Sequence, residues 1–419
     1  MFHPDTLLIL GNGFDLQCGL KSKYEHFFRS EILDTTTESF DIKQLKPDVT
    51  GFWERLLFEY YRTYNKDDYM WCDIERIIKD TLFSVFINKT YGGIAIWKIA
   101  HDNANSNRNP NEIISDICES PIDLFVFKYC MEFYRTLHTQ VVKTNEQELA
   151  THLLQQLNNL EKRFCKYLKN QICNPNNPKK RNNNYIVNAA NLLVRLTGFS
   201  TFTYSDISSI IKQEFGEREE KQEPYSSIIY SGYFDVLAKE FNNLSSVSIL
   251  SFNYTALFDI LLLKSPCVYS NVHGKLCKKQ CPGSCNSSSV IFGIDDKVIQ
   301  EESEAFKLRM FSKTYRKMLA VGKPSNILPQ KNIPNIEIKF YGHSLGEADY
   351  SYFQSIFDYY DLYGNTNVCL TFYYSDGYEQ NDAIYKLISV YGKSLTNKEQ
   401  GKNLIHKLLL ENRLKIEKI

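Results

Sequence analysis

No stretch of this chain approaches the roughly 18 consecutive apolar residues that a membrane-spanning helix requires. That absence removes a helical membrane protein from consideration. Net charge is missing too: 49 Lys and Arg balance 49 Asp and Glu over 419 residues. A long electrostatic surface for nucleic acid is thereby disfavoured, although a local basic patch stays open. The opening MFHPDTLLILG has neither a basic n-region nor a small-residue cleavage site. Its apolar run is expected to be a strand, and the protein to be cytoplasmic with no membrane partner. The chain contains no Walker loop, no Gly-x-Ser-x-Gly elbow and no His-Glu-x-x-His zinc motif. No internal repeat is evident. The 11 cysteines are odd in number and do not space as a disulfide framework. Cys267, Cys277, Cys281 and Cys285 cluster, but without the two-residue knuckle spacing of structural zinc sites. Free thiols of a reducing compartment are the expectation there, and no metal is expected.

What is present is an apolar, ring-rich chain, 43% hydrophobic with 28 Tyr and 27 Phe, enough for one large domain or two ordinary ones. Residues 1–30 read as a strand, a glycine turn and a helix, with Tyr24, Phe27, Phe28 and Ile32 at helical spacing. WERLLFEYYRTY, CDIERIIKDTLFSVF and LLQQLNNLEKRFCKYLKNQI also carry apolar residues three and four apart. Between them, HDNANSNRNPNE and NPNNPKKRNNN read as surface loops, and KQEFGEREEKQE as a solvated helix face. From about 245 short β-rich runs appear: SVSILSF, CVYSNV, SVIF, IEIKFY and NVCLTFYY, each leading into a polar loop. Near-continuous apolar strands alternating with helical segments indicate a parallel sheet buried on both faces. The fold class is therefore α/β: a Rossmann-like, mainly parallel sheet with helices on both faces and a large helical insertion. Residues 1–45 form the first part of the nucleotide-binding domain, 46–240 the insertion, and 241–419 the second part.

The polar loops after the strands are where ligands bind in open α/β sheets. Gly11, Asn12, Gly13, Phe14 and Asp15 follow the first strand. Their glycines permit a sharp turn and close approach of a phosphate, or equally a strand-to-helix turn without ligand. With Gly19 the spacing is G-x-G-x5-G, unlike the dehydrogenase G-x-G-x-x-G. Asn253, in SFNYT, can hold a ribose hydroxyl or a water, or serve as a turn or capping residue. His273, followed by Gly274, is a candidate for proton transfer, or a structural histidine. Gly342 and Ser344, in FYGHSLGEAD, suit contact with a nucleotide, while Glu347 and Asp349 are equally suited to capping the next helix. Asp73 and Glu75, two apart on a helix, do not face one another, and salt-bridging is expected of them.

These motifs resemble the AbiH family of bacterial abortive-infection proteins. The resemblance rests on ILGNGFDLQCGLKSKY, WCDIE, SFNYT, VHGKL, FGIDD and GHSLGEADYSYF, in that order. The same loops are similar, more distantly, to those of sirtuins and sirtuin-like NAD hydrolases: Gly11, Gly13 and Gly19, then Asn253, His273 with Gly274, and Gly342 with Ser344. Asn12 and Asp15 depart from the sirtuin pattern, and its paired-cysteine zinc module is missing. The resemblances imply an anti-phage effector with a sirtuin-like fold that cleaves the nicotinamide–ribose bond of NAD. Asn253 and His273 would be catalytic, and the glycine loops would hold NAD, with the Gly11–Gly13 amides on its pyrophosphate. A phage-derived trigger and a homo-oligomer are compatible with such a role. The alternatives are a nuclease acting through His273, Asp15 or the Asp295–Asp296 pair with a divalent metal, and a non-catalytic nucleotide sensor.

Overall fold

The structure, a computed structural model, describes residues 5–34, 44–64, 73–87, 94–104, 106, 109–114, 120–138, 145–174, 177–197, 247–255, 268–276, 290–296, 299, 303–319, 327–331, 333–375, 380–396, 401 and 403–419. Cys267, Cys277, Cys281, Cys285 and the charged run 212–223 lie outside them. Contacts divide the chain into two compact units, one of residues 1–20, 171–287 and 323–419, the other of residues 21–170 and 288–322. Among the described residues no helix is long and apolar enough to cross a membrane.

The first unit is built on a six-stranded sheet. Its strands are β1 (Asp5–Leu10), β2 (Val247–Ser251), β3 (Val268–Asn271), β4 (Ile336–Tyr341), β5 (Val368–Tyr374) and β6 (Leu414–Lys418). They lie in the order β6-β5-β4-β1-β2-β3, and every pairing is parallel. The chain thus steps one way from β1 to β3, then returns to the other side of β1 for β4 to β6. This is the doubly wound order 3-2-1-4-5-6, in which the reversal opens a crevice beyond the carboxyl ends of the strands. Burial follows position. Central β1 and β2 are buried almost throughout, as their unbroken apolar runs require, whereas the edge strands carry exposed residues such as Val268 and Ile416.

Helices cover both faces, and alternation along β4 shows how. Ile338 and Phe340 join Leu7, Ile9, Leu370 and Phe372 in a core with helices at Tyr350–Tyr360, Asn381–Ser394 and Leu404–Leu410. Phe340 and Phe372 stack with ring centroids 4.4 Å apart. Lys339 lies between Ile338 and Phe340, so it points to the opposite face. There its buried ammonium donates to the Leu196 carbonyl at 3.1 Å. Leu196 belongs to the helix Asn183–Thr197, which also packs on β1. Asn182 caps that helix, its side chain accepting from the Tyr185 amide at 3.1 Å. The buried Arg413 closes the far side, donating to the Val368 and Leu362 carbonyls.

The second unit is mainly helical. Phe52–Thr63, Ile74–Phe86, Pro121–His138 and most of Glu146–Ile172 supply its longer helices. Rings at helical spacing make its interior: Phe27 packs edge to face with Phe164 and with Tyr167, and buried Trp53 donates to the Leu153 carbonyl. Of the two acidic residues in WCDIE expected to form salt bridges, Asp73 caps its helix, its carboxylate accepting from the Arg76 amide, whereas Glu75 binds the buried Lys313 at 2.7 Å. Glu161 similarly holds Arg316 with two contacts. Of the candidate aspartate pair, Asp296 accepts a hydrogen bond from Ser312.

Two loop expectations need correction. HDNANSNRNPNE runs through the end of one helix at Asn103 and the start of another at Pro110. NPNNPKKRNNN contributes to a short hairpin pairing Cys173–Asn174 with Asn177–Arg181. Asn and Pro are turn formers, but they are also the residues that start helices and close hairpins.

Candidate functional site

All the strand-end loops of interest belong to the first unit. The turn after β1 and the turn after β4 meet backbone to backbone. The Gly11 amide donates to the Tyr341 carbonyl at 3.0 Å, and the Gly13 amide to the Gly342 carbonyl at 2.7 Å. A Cβ on Gly11 would stand 2.3 Å from the His343 Cα, and one on Gly342 would stand 2.4 Å from the Phe14 nitrogen. Gly342 also has φ +68°, which favours glycine. The approach these glycines permit is therefore that of the protein's own chain. The sequence reading placed a pyrophosphate on the Gly11–Gly13 amides, but two of those amides already bind carbonyls. Phe14 is buried edge-on to Tyr341, while Asn12 is exposed at the head of the short helix Asn12–Gln17.

Asp15, on that same helix, is 1% exposed. Its carboxylate accepts from the Tyr185 hydroxyl at 2.7 Å and from the Thr255 hydroxyl at 2.9 Å. Burial pushes its pKa up from 3.8 to about 6, against the opposing pull of those two hydrogen bonds. The same burial, reinforced by the neighbouring carboxylate, raises the Tyr185 phenol well above its ordinary value. Asp15 thus ties the turn after β1 to the turn after β2. The Asn271 side chain secures that second turn by donating to the carbonyls of Asn253 (2.7 Å) and Thr255 (3.0 Å). Tyr269 donates to the Thr255 carbonyl as well.

Within this held turn Asn253 is 4% exposed, and its Oδ1 has no hydrogen-bond partner among the described residues. A buried acceptor without a donor costs about 1–3 kcal/mol and marks a place for a water or a ligand group. Asn253 and His273 each lie two residues past the paired Ser251 and Asn271, so they end neighbouring strands. Phe252 and Tyr254, on either side of Asn253, both touch the His273 ring, with centroids 5.5 and 6.4 Å apart.

His273 is buried, and its Nε2 lies 2.8 Å from Asp349 Oδ1. The other oxygen of Asp349 lies 3.3 Å from Nε2 of His343. Phe252 contacts both imidazoles edge-on. Asp349 occupies the N-cap position of the helix Tyr350–Tyr360 but makes no capping side-chain bond; its carboxylate turns to the histidines instead. Gly274 is half-buried with φ +82°, and Ser344 is exposed. Glu347 is exposed and pairs with Lys386.

His343 and Tyr185 were not among the residues singled out from sequence. The signal for His343 was available, since it stands beside Gly342 in a strand-end loop. Tyr185 had none, because it reaches Asp15 across 170 positions of chain. Among the described residues no three His, Cys, Asp or Glu side chains form a group that could hold a metal ion.

The fold and site define an α/β protein with a doubly wound parallel sheet, whose buried polar groups gather at the carboxyl ends of its central strands. The chain belongs to the AbiH family: the family model for bacteriophage abortive infection AbiH matches residues 7–151 and 125–374. This is the family that the ordered motifs indicated. Comparison with curated proteins and with solved structures gave no match.

Proposed function

We propose that this chain is an effector of bacteriophage abortive infection that binds NAD and hydrolyses its nicotinamide–ribose bond. The defence role follows from membership of the AbiH family. The observation that carries the chemistry is the adjacency of a buried carboxamide oxygen open to a donor, Asn253 Oδ1, and the His273–Asp349 pair.

Hydrolysis at this bond needs little proton management. Water bonds to the anomeric carbon, the C–N electron pair goes to the pyridinium nitrogen, and nicotinamide leaves neutral without being protonated. The proton of the water goes to His273, and Asp349 stabilises the imidazolium that forms. One base suffices, and His273 would be that base. Asn253 Oδ1 would accept from a ribose hydroxyl or from the attacking water. The oxocarbenium-like transition state is favoured by the carboxylate beside the histidine. Since the Gly11 and Gly13 amides bind carbonyls, the pyrophosphate contacts fall to other groups of the same loops, with exposed Asn12 and Ser344 as the polar side chains. Gly274 gives the backbone freedom beside His273. A sirtuin-like character of the sheet, a cytoplasmic site of action on NAD, a phage-derived trigger and self-association belong to the same reading.

The test is nicotinamide release from NAD by the purified chain, with and without phage lysate as activator. Wild type should release nicotinamide, and Asn253→Ala and His273→Ala should each be slower by on the order of 10² or more. Loss of no NAD in any preparation would overturn the proposal. Degradation of RNA or DNA with a divalent metal would then favour a nuclease, and tight nucleotide binding without turnover a sensor.

A further inference from the structure

The arrangement of Asp349 between two imidazoles has a consequence for the proton. Leu345 donates its backbone N–H to His343 Nδ1 at 2.9 Å. An N–H donor requires a bare acceptor, so the His343 proton resides on Nε2, the nitrogen that faces Asp349 Oδ2. The backbone enforces this. Gly342 at φ +68° and Leu345 at φ +56° bracket the loop, and a left-handed leucine persists only where its surroundings hold it. Leu345 is buried in the core, and its N–H is aimed at His343. His343 thus turns an N–H toward one oxygen of Asp349 at 3.3 Å, an electrostatic contact rather than a hydrogen bond. The other oxygen, as an acceptor, calls for a hydrogen on Nε2 of His273. The basic nitrogen of the neutral His273 ring is then Nδ1.

We infer that Asp349 and His343 are positioning residues that select the Nε2–H tautomer of His273 and so present Nδ1 for proton transfer. The inference rests on the hydrolase reading for its catalytic meaning, but not for its structural content. An imidazole with its proton on the wrong nitrogen cannot accept one at the reacting atom, however well the ring is placed. Replacing Asp349 by Asn offers His273 an N–H instead of a carboxylate oxygen, which invites the opposite tautomer.

The test is long-range ¹H–¹⁵N correlation NMR of the full chain labelled at histidine nitrogens, with His273 assigned from the spectrum of His273→Ala. At a pH where the ring is neutral, wild type should show His273 as Nε2–H. Asp349→Asn and His343→Ala should shift it toward Nδ1–H, and His343→Gln, which keeps a donor toward Asp349, should restore part of the wild-type pattern. Nicotinamide release by Asp349→Asn should fall in kcat by on the order of 10²–10⁴, with KM for NAD within a few-fold of wild type. An Nδ1–H ring in wild type overturns the inference, and needs no variant to fold. So does an unchanged tautomer in folded Asp349→Asn and His343→Ala. If wild type releases no nicotinamide yet shows the expected tautomer, the hydrolase reading fails and the positioning role stands.

Discussion

Asp15 and Asp349 are two carboxylates at the carboxyl edge of one sheet, and their neighbours give them different tasks. Asp15 is held by two hydroxyls, from Tyr185 and Thr255. Neither hydroxyl takes up a proton near neutral pH, and through them the carboxyl holds the turns together. It is also fully enclosed, and its pKa rises to about 6. Asp349 keeps more contact with solvent and lies between two imidazoles, side chains that can carry a proton on either ring nitrogen. Residue type and strand-end position are shared. What differs is the partner, a hydroxyl or an imidazole, and on the proposed reading that separates a structural carboxylate from one that serves the chemistry.

The contrast can be tested by substituting both in the same way. The largest effect is expected at Asp349, where Asn lowers kcat by on the order of 10²–10⁴ with little change in the denaturation midpoint. A matched loss of stability would place Asp349 with Asp15 as a structural group. Asp15→Asn should act instead on stability, and through pH. The folded state binds the Asp15 proton more tightly than the unfolded chain. The stability contributed by the neutral form is therefore present below pH 3.8 and is lost as pH rises through about 6. Between pH 4 and 7 wild type should lose about 2 kcal/mol that Asp15→Asn does not. Parallel urea-unfolding curves for the two proteins across that range would refute the assignment.

Smaller effects are expected where the two turns meet and at the phenol. Gly342→Ala places a methyl against the Phe14 nitrogen at positive φ, which should cost about 2–3 kcal/mol in chemical denaturation. A neutral result would mean the β1 and β4 turns are not in backbone contact. Tyr185→Phe removes one donor from Asp15 and should cost about 1–2 kcal/mol. It should also raise the Asp15 pKa further, because that bond favours the ionised form; a lowered pKa by carboxyl ¹³C titration would contradict the hydrogen bond.

Much of the α/β architecture was determined by local sequence. Apolar runs such as LLIL and VSILS read as central parallel strands, because burial on both faces leaves no polar alternation, whereas Val290–Phe292 of SVIF, read in the same way, belong to no strand. Polar loops after those runs then fall at one edge by topology, which is why Asn253 and His273 could be chosen from sequence. The family was legible for the same reason, since its motifs are those loops. Tertiary structure alone decided the rest. Glycine at 11, 13 and 342 announces that something approaches the backbone, but not that it is another stretch of backbone. Asp349 could read as a helix cap until the His343 and His273 rings were seen on either side of its carboxylate. Asp15 acquires its raised pKa from burial in the packed unit, and its two hydroxyl partners, Tyr185 and Thr255, come from 170 and 240 positions away. Burial and the partner of a polar group are properties of the packed chain, and no local pattern encodes a partner so distant.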